Sequence, residues 1–406
     1  MTGTTAVTGL GVVSPAGIGL DATWQALLAG TSTAARDPRL QGMPVDISCR
    51  VPDFDARLHV GAGRAWRLDR FTAMAVTAAR HALADAGLTP ATWDGSRVAV
   101  VMGTGTASME NYLAEFSKVA DNRPLDISPL AVPRSVPNMS AGEIAIDTHA
   151  TGPNFSVSTA CASGTTAIGV ARDLLRAGSC DIVLAGGAES ACHPIPAACF
   201  HRMGALSQRT DDPARASRPF DARRDGFVLS EGAAVLVLER PEHARARGVR
   251  PRAHLAGYAA TCDAFHYAAP DPQGRGAAAA MSAALDDADL APSDIDHVNA
   301  HGTSTRLNDL AEAKALRTVF RAPPPVTSLK GAIGHAIGAA GAIEAAITVM
   351  TVQHGTIPPT ANHEDLDLDI DLDVVAKTAR ETSVEAAITT SYGFGGQNAA
   401  LIFVRS

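Results

Sequence analysis

An internal repeat constrains the fold of this 406-residue chain more than any other feature. The segment ALADAGLTP, residues 82–90, returns as ALDDADLAP, residues 284–292, and each copy is soon followed by a strand-like run that ends in Gly-Thr. A second echo pairs TTAVTGLGV near the start with RAHLAGYAA from Arg252. Because these patterns recur in the same order, the sequence predicts two related halves, residues 1–248 and 249–406.

Both halves alternate short apolar runs with alanine-rich segments of helical period, which predicts an α/β fold. The predicted strands include residues 4–15, 96–105, 181–190, 233–240 and 295–305. The predicted helices cover residues 69–86, 161–177, 274–287, 309–320 and 338–354.

Composition excludes several classes of protein. Six cysteines show no C-x-x-C pair and no dense spacing, so we expect neither a structural zinc site nor a disulfide scaffold, and no metal. The formal net charge of -8 argues against nucleic acid as the main partner. Without an apolar run of transmembrane length or a basic-then-apolar leader, we expect no membrane association and a cytoplasmic location.

Cys161 is the strongest candidate for a reactive side chain. In VSTACASGTTAIG, residues 157–169, it stands where an apolar strand gives way to a predicted helix. A helix start presents unpaired N–H groups and the positive end of the dipole, which favours a thiolate over a thiol. The alternative is a small apolar residue in a tight turn, and only partners decide between the two.

Two histidines provide such partners. His301 lies at a predicted strand end in NAHGTSTRLND, and His335 lies in the glycine-rich segment SLKGAIGHAIGAAGAIEAA. Histidines beside glycine at the ends of elements are accessible to a ligand, unlike most histidines within helices.

Taken together, these motifs resemble the β-ketoacyl-acyl carrier protein synthases, the condensing enzymes of fatty acid and type II polyketide synthesis. The resemblance covers nearly the whole chain. Its motifs are VTGLGVVSPAG, TACASG, ASRPFDARRDGFVLSEGAAVLVLE, NAHGTSTRLND, SLKGAIGHAIGAAGAIEA and SYGFGGQNAALIF. It implies the thiolase fold, a five-layered αβαβα arrangement of two similar halves.

The resemblance also implies a decarboxylative condensation. Cys161 would accept an acyl group from the phosphopantetheine arm of an acyl carrier protein, so the enzyme would need no cofactor of its own. His301 and His335 would stabilise the enolate that forms when malonyl-carrier protein loses carbon dioxide. The backbone N–H groups of Cys161 and Phe394 would form the oxyanion hole, and Lys330 and Glu312 would form a buried ion pair that orders the histidine loops.

Further residues correspond to binding regions of the family. Thr303 and Thr305 would bind the pantetheine amides, and Phe394 between Gly393 and Gly395 would be a mobile gate at the acyl site. Candidates for the acyl site are Phe200 and Met109, the latter in a segment that closes the tunnel across a dimer. We expect a basic dock for the carrier protein at Arg64, Arg67, Arg70, Arg202 and Arg209, with the first three on one helical face.

Motif details favour an elongating synthase but leave its pathway and its assembly open. HGTST and CASG are typical of the fatty acid branch, whereas aromatic polyketide ketosynthases more often read HGSGT and CTSG. A homodimer and a heterodimer with a chain-length factor, in a reducing type II polyketide pathway, are both compatible. A non-catalytic partner subunit and a coenzyme A-dependent thiolase-like acyltransferase are the alternatives from other classes.

Overall fold

The computed structural model describes residues 4–406. The strands are β1 Thr5–Ser14, β2 Gly17–Ile18, β3 Ala35–Arg36, β4 Ile47–Cys49, β5 Val98–Gly103, β6 Asn154–Val157, β7 Ile182–Ser190, β8 Leu229–Glu239, β9 Ala253–Cys262, β10 His297–Asn299, β11 Val326–Thr327, β12 Thr356–Ile357, β13 Arg380–Glu381, β14 Ala386–Gly393 and β15 Gln397–Val404.

The α-helices are α1 Leu20–Leu28, α2 Ala56–Val60, α3 Ala62–Ala65, α4 Arg70–Asp85, α5 Met109–Ala120, α6 Ala131–Ser135, α7 Met139–Thr148, α8 Ser163–Arg176, α9 Pro194–Arg202, α10 Pro241–Ala246, α11 Arg275–Ala288, α12 Arg306–Val319, α13 Lys330–Ile333 and α14 Ala340–His354. Short 3-10 turns span Pro38–Leu40, Pro90–Thr92, Gly95–Arg97, Pro124–Asp126, Ala160–Ala162, Pro213–Arg215, Pro292–Asp294 and Ile337–Ala339.

Two five-stranded units with the same topology form the centre of the molecule. In the first, the order is β6-β5-β7-β8-β1, and in the second it is β11-β10-β14-β15-β9. Numbered along the chain within each unit, both orders read 3-2-4-5-1. Both units also have two parallel pairs followed by two antiparallel pairs. The units join through antiparallel pairing of β1 with β9, which are the two strands of the second sequence echo.

Helices and the two strand units alternate in five layers. Helix α4 packs on the outer face of the first unit, and α11 and α12 cover the outer face of the second. Helices α8 and α14 fill the space between the two sheets. Helix α14 is buried on nearly every side, which explains why its sequence is apolar all round rather than amphipathic. The αβαβα arrangement predicted from the sequence is therefore present.

The sequence repeat corresponds to equivalent elements. Residues 82–90 end α4 and lead through the 3-10 turn Pro90–Thr92 into β5. Residues 284–292 end α11 and lead through Pro292–Asp294 into β10, which occupies the same place in its unit as β5 does. Gly248 lies in the turn between α10 and β9, and the domain boundary there remains a prediction.

One outer strand of the large sheet is open. Strand β6 pairs with β5 on one side and with no other strand in the described part of the chain. The segment between β5 and β6 carries exposed apolar side chains: Tyr112, Phe116, Val119, Leu125, Ile127 and Val132. Within residues 4–406, no helix is long and apolar enough to cross a membrane.

Candidate active site

Cys161 lies in the 3-10 turn between β6 and α8. Ala160, directly before it, adopts a left-handed conformation with φ of 50°, which is uncommon for a residue with a side chain. Ser163 stabilises the turn, since its hydroxyl accepts the N–H of Thr159 (2.9 Å) and donates to the carbonyl of Ala160 (2.6 Å). The turn places Cys161, with 6% of its surface exposed, in the lining of a cavity.

The protonation of Cys161 differs from the expectation that a helix start favours a thiolate. Burial raises the pKa of the thiol to about 12, and the nearby charge of Lys330 opposes this only in part. The helix terminus also favours the thiolate, but desolvation is the larger effect. The resting cysteine is therefore a thiol.

His301 and His335 approach the same cavity from the second half of the chain. His301 follows β10, and His335 lies between α13 and the turn Ile337–Ala339. The backbone of His335 is fixed against the first half, because its N–H donates to the carbonyl of Val228 (2.8 Å). The two imidazole rings meet edge to face with centroids 5.4 Å apart, and both line the cavity.

Lys330 fixes the tautomer of His301. Its ammonium group donates to the His301 carbonyl oxygen (2.6 Å) and to Nδ1 of the ring (3.4 Å), and it forms an ion pair with Glu344. A neutral imidazole that accepts at Nδ1 carries its proton on Nε2. Burial, with the charge of Lys330, holds the pKa of both His301 and His335 well below the ordinary value, so both rings are neutral.

The expected ion pair between Lys330 and Glu312 is wrong. Glu312 instead accepts the backbone N–H groups of His301 (2.8 Å) and Gly302 (2.7 Å) and the hydroxyl of Thr390 (3.1 Å). Burial raises the pKa of Glu312 to about 7. Glu312 still orders the His301 loop, but through backbone hydrogen bonds.

Sequence reasoning missed Glu344, which is the carboxylate partner of Lys330. The available signal was a single acidic residue within GAIGAAGAIEAA, a segment too apolar to leave a charge unpaired.

The cavity has a volume of about 660 Å³ and joins the side chains of Cys161, His301 and His335 to the surface. Thr303 and Thr305 also line it, with their hydroxyl oxygens 2.9 Å apart. Thr305 is in addition the N-cap of α12, because its hydroxyl accepts the N–H of Asn308 (3.4 Å). The wall near Cys161 is apolar and includes Phe200.

The GFGG loop closes one side of this cavity. A side chain at Gly393 would bring its Cβ within 2.5 Å of the Thr159 carbonyl oxygen and 3.1 Å of the Cys161 nitrogen, so only glycine permits this approach. The ring of Phe394 lies 6.1 Å from that of Phe200, centroid to centroid. Gly395 has a φ of 81°, which favours glycine.

Met109 lies apart from these residues. It begins α5, is half-buried, and is not among the residues that line the cavity within this chain. Its assignment to the tunnel floor stays a prediction.

The first predicted docking cluster is not a single helical face. Helix α3 ends at Ala65, Arg67 lies in the following turn, and Arg70 begins α4, because Asp69 caps a new helix by accepting the N–H of Phe71. Arg70 binds the buried carboxylate of Glu231 through two hydrogen bonds (2.6 and 2.8 Å).

Two acidic residues of α7 neutralise the other arginines of this cluster. Glu143 pairs with Arg64 (2.9 Å) and with Arg67 (3.0 Å), and Asp147 pairs with Arg64. The expectation of one helical face is therefore wrong, and docking of a carrier protein at Arg64, Arg67 and Arg70 stays a prediction.

Arg202 and Arg209 occupy a different position, close to the cavity. Arg202 ends α9, is exposed, and has no partner among residues 4–406, while its neighbours Met203 and Gly204 line the cavity. Arg209 donates to the carbonyl of Arg223 (2.9 Å) and lies 3.8 Å from a carboxylate oxygen of Asp225.

Comparison with known proteins agrees with this site. The chain matches the family descriptions "Beta-ketoacyl synthase, N-terminal domain" over residues 4–244 and "Beta-ketoacyl synthase, C-terminal domain" over residues 252–364. It is 40% identical over 404 residues to 3-oxoacyl-[acyl-carrier-protein] synthase 2 of Synechocystis sp., covering 98% of this chain and 97% of that relative.

Solved structures extend the comparison. The ishigamide ketosynthase/chain length factor superposes with a TM-score of 0.93 at 35% identity, covering 99% of both chains. A type II PKS acyl-carrier protein in complex with its ketosynthase bound to the hexaketide superposes with a TM-score of 0.91 at 30% identity, covering 99% of both chains. The thiolase fold is thereby confirmed, and the chain belongs to the β-ketoacyl synthase family.

Proposed function

We propose that this chain catalyses the decarboxylative condensation of an acyl group with malonyl-acyl carrier protein, giving 3-oxoacyl-acyl carrier protein. One observation carries the proposal: a buried cysteine from the first half of the chain and two neutral imidazoles from the second half line one cavity. The name of the Synechocystis relative supports the substrate class. The cytoplasmic location expected from the sequence stays part of this proposal.

In the first step, the sulfur of Cys161 attacks the thioester carbonyl of the acyl-carrier protein. The new carbon–sulfur bond replaces the bond to the phosphopantetheine thiol, which leaves with the proton. The negative oxygen that forms transiently needs donors, and the N–H groups of Cys161 and Phe394 are proposed to supply them. The close approach of Gly393 to the Cys161 nitrogen supports this pairing.

In the second step, malonyl-carrier protein loses carbon dioxide and leaves an enolate. A neutral imidazole with its proton on Nε2 is a hydrogen-bond donor for that oxygen, and the Lys330 contact produces this form of His301. The enolate carbon then attacks the acyl carbonyl, forms the new carbon–carbon bond and breaks the carbon–sulfur bond to Cys161. The thiolate that leaves takes a proton from solvent and returns to the resting thiol. Thr303 and Thr305 are proposed to bind the pantetheine arm of the carrier protein.

The carrier protein is proposed to dock beside Arg202 and Arg209. Arg202 is an exposed cation without a partner in residues 4–406, and it adjoins the cavity mouth. An acidic partner would be attracted there despite the negative net charge of the whole chain.

A second candidate function is that of the catalytic subunit of a heterodimer with a chain-length factor. The likeness to the ishigamide ketosynthase/chain length factor favours it. The open edge of β6 and the apolar residues of α5 and α6 provide a surface for either a second copy or such a partner. Activity of the chain alone, compared with activity after co-expression with a partner, distinguishes the homodimer from the heterodimer.

The test is mass spectrometry of Cys161 after incubation with a panel of acyl-carrier proteins, followed by addition of malonyl-carrier protein. We expect an acyl adduct on Cys161 that malonyl-carrier protein converts to a 3-oxoacyl product. The Cys161→Ala variant should give neither, whereas Cys199→Ala, which removes an exposed cysteine, should give both.

Other results would contradict the proposal. Condensation by Cys161→Ala would refute the role of the cysteine as nucleophile. Failure of every acyl-carrier protein in the panel to acylate Cys161 would favour a non-catalytic subunit. Turnover of acyl-coenzyme A without any carrier protein would favour a thiolase-like acyltransferase.

A further inference from the structure

The carboxylate of Glu189, at the end of β7, is buried without any ion pair in the described chain and is surrounded by hydrogen-bond donors. One oxygen, Oε2, accepts the N–H groups of Gly105 (2.7 Å) and Gly338 (3.2 Å). The other, Oε1, accepts the hydroxyls of Thr106 (2.7 Å) and Thr104 (3.3 Å). The N–H of Thr106 lies 3.2 and 3.3 Å from the two oxygens.

These donors come from segments on either side of the reacting groups. The segment after β5 contacts the cysteine turn, because the hydroxyl oxygen of Ser163, which donates to Ala160, also lies 3.3 Å from the carbonyl oxygen of Thr104. Gly338 belongs to the turn three residues after His335, and Ile337 of that turn lines the cavity. Glu189 therefore connects the Cys161 side of the cavity to the His335 side.

The two segments that donate to this carboxylate pack closely against each other. A Cβ at Gly338 would lie 2.3 Å from the nitrogen of Gly105 and 2.8 Å from Oε2 of Glu189. The two segments thus touch backbone to backbone. A buried carboxylate is costly, and burial raises its pKa, so its retention here requires the donors that surround it.

From this arrangement we infer that Glu189 is a positioning residue of the condensation, which holds the turn of Cys161 and the turn after His335 at a fixed separation. The inference rests on the proposed function. It does not make Glu189 a catalytic residue, because Glu189 does not line the cavity.

This role makes a distinctive prediction about partial reactions. Acyl transfer to Cys161 uses the cysteine turn, and decarboxylation uses the histidines. Carbon–carbon bond formation also needs the correct distance between the cysteine turn and the histidines. A misplacement of about 1 Å can cost on the order of a hundredfold in rate. Loss of Glu189 should therefore impair condensation more than either partial reaction.

The experiment compares Glu189→Met with the wild-type protein in three assays: acylation of Cys161, decarboxylation of malonyl-carrier protein, and condensation. The methionine side chain is about as long as that of glutamate, but it has no carboxylate to accept the N–H groups. We expect condensation to fall about ten- to a hundredfold further than either partial reaction. Equal losses in all three assays, or no loss, would overturn the inference.

Two milder variants keep the test decisive if Glu189→Met does not fold. Glu189→Gln can accept from Gly105 and Gly338 with its amide oxygen and donate to the threonine hydroxyls with its amide nitrogen. It should restore condensation to within about threefold of wild type. Thr106→Val, which removes one donor, should lower condensation selectively by a few-fold. Full activity of Thr106→Val together with an inactive Glu189→Gln would contradict the inference.

Glu239 provides the matched control. It is also a fully buried glutamate in a neighbouring strand, but its partners are Thr8, His243 and Arg247. Glu239→Met should lower stability while leaving the ratio of condensation to partial reactions unchanged. A wild-type protein inactive in all three assays would refute the proposed function. An active wild type with uniform losses in Glu189→Met would refute only the role of Glu189.

Discussion

Neutral histidines determine what this site can do at the scale of single residues. Because the pKa values of His301 and His335 lie well below the ordinary value, neither ring gains a proton in the neutral range. Each can donate one hydrogen bond without carrying a charge of its own. Donors of this kind stabilise a developing enolate oxygen without first binding the malonyl carboxylate as an ion pair.

The pH dependence of decarboxylation follows from this. The depressed pKa values keep both rings neutral as the pH falls, so the rate should stay nearly constant between about pH 6 and pH 8. The measurement uses carbon dioxide release by Cys161→Gln, which removes the thiol from the reaction. A rate that falls along a titration curve centred near the ordinary histidine pKa would contradict neutral donors.

Removal of either ring should affect one partial reaction. In His301→Ala and in His335→Ala, decarboxylation should slow by about a hundred- to a thousandfold, corresponding to roughly 2.7–4 kcal/mol. Acylation of Cys161 should remain detectable by mass spectrometry in both variants. Normal decarboxylation by either variant would show that its histidine is not a donor to the enolate.

The pairing of Lys330 with Glu344 rather than Glu312 is measurable by a double-mutant cycle. We expect Lys330→Met and Glu344→Gln to show a coupling of about 0.5–3 kcal/mol in the free energy of unfolding, because they are in contact. The cycle of Lys330→Met with Glu312→Gln should give a smaller coupling. A larger coupling to Glu312 would contradict the ion pair described here.

At the scale of elements, strand β10 contains an unusual histidine. His297 is fully buried, and neither ring nitrogen has a hydrogen-bond partner among the described residues. Burial lowers its pKa to about 3. The strand therefore contains a neutral imidazole that the unfolded chain would protonate much more readily.

This histidine should make the protein sensitive to acid. The unfolded state binds a proton below about pH 6.5, while the folded state does not until about pH 3, so stability is lost as the pH falls through this window. At pH 5 the loss from this residue is about 2 kcal/mol. Urea unfolding at pH 7 and pH 5 should show that His297→Phe loses less stability than wild type. An equal loss would contradict the assignment.

The elements also show where sequence reasoning succeeds and fails. The helix predicted over residues 161–177 is observed as a 3-10 turn followed by α8. Its period predicts a buried face of Ile168, Ala171, Leu174 and Leu175, and all of these are buried except Leu174, which is half-buried. Regular period and cap residues are local signals. The spacing of Arg64, Arg67 and Arg70 is local too, but it predicts a common face only if the helix is continuous, and the cap at Asp69 interrupts it.

The partner of a buried charge is a long-range property. Lys330 meets Glu344 rather than Glu312 because α14 packs between the sheets, and no spacing in the sequence specifies that contact. Glu189 was missed for the same reason, since its donors come from segments that only the fold brings together. Motif resemblance identified Cys161, His301 and His335 because their local sequences are distinctive.

At the scale of the whole molecule, the open edge of β6 predicts assembly. Phe116 is 67% exposed on α5, within the apolar surface described above. Exposed apolar side chains in the segment that leads to an unpaired edge strand favour association with another chain. We expect the wild-type protein to be a dimer, with itself or with a chain-length factor.

Phe116→Glu should weaken that dimer, because association would bury the added charge. Light scattering after size-exclusion chromatography should show a shift toward monomer at low micromolar concentration. Leu58→Glu is the control, since Leu58 is 80% exposed on α2, outside this surface. A stable monomer for the wild type, or the same effect from both variants, would contradict the assignment of the interface.

Two 3-10 turns at equivalent places in the two halves have the same backbone conformation but different partners. Ala160–Ala162 precedes α8, and Ile337–Ala339 occupies the equivalent place before α14, so Gly338 stands where the first half has Cys161. Ala160 and Ile337 share the same left-handed conformation, with φ of 50° and 45°. In the second half, the N–H of this position permanently holds the Glu189 carboxylate. The second-half turn thus binds a side-chain carboxylate through the N–H whose first-half equivalent, that of Cys161, is proposed to donate to a transient oxyanion.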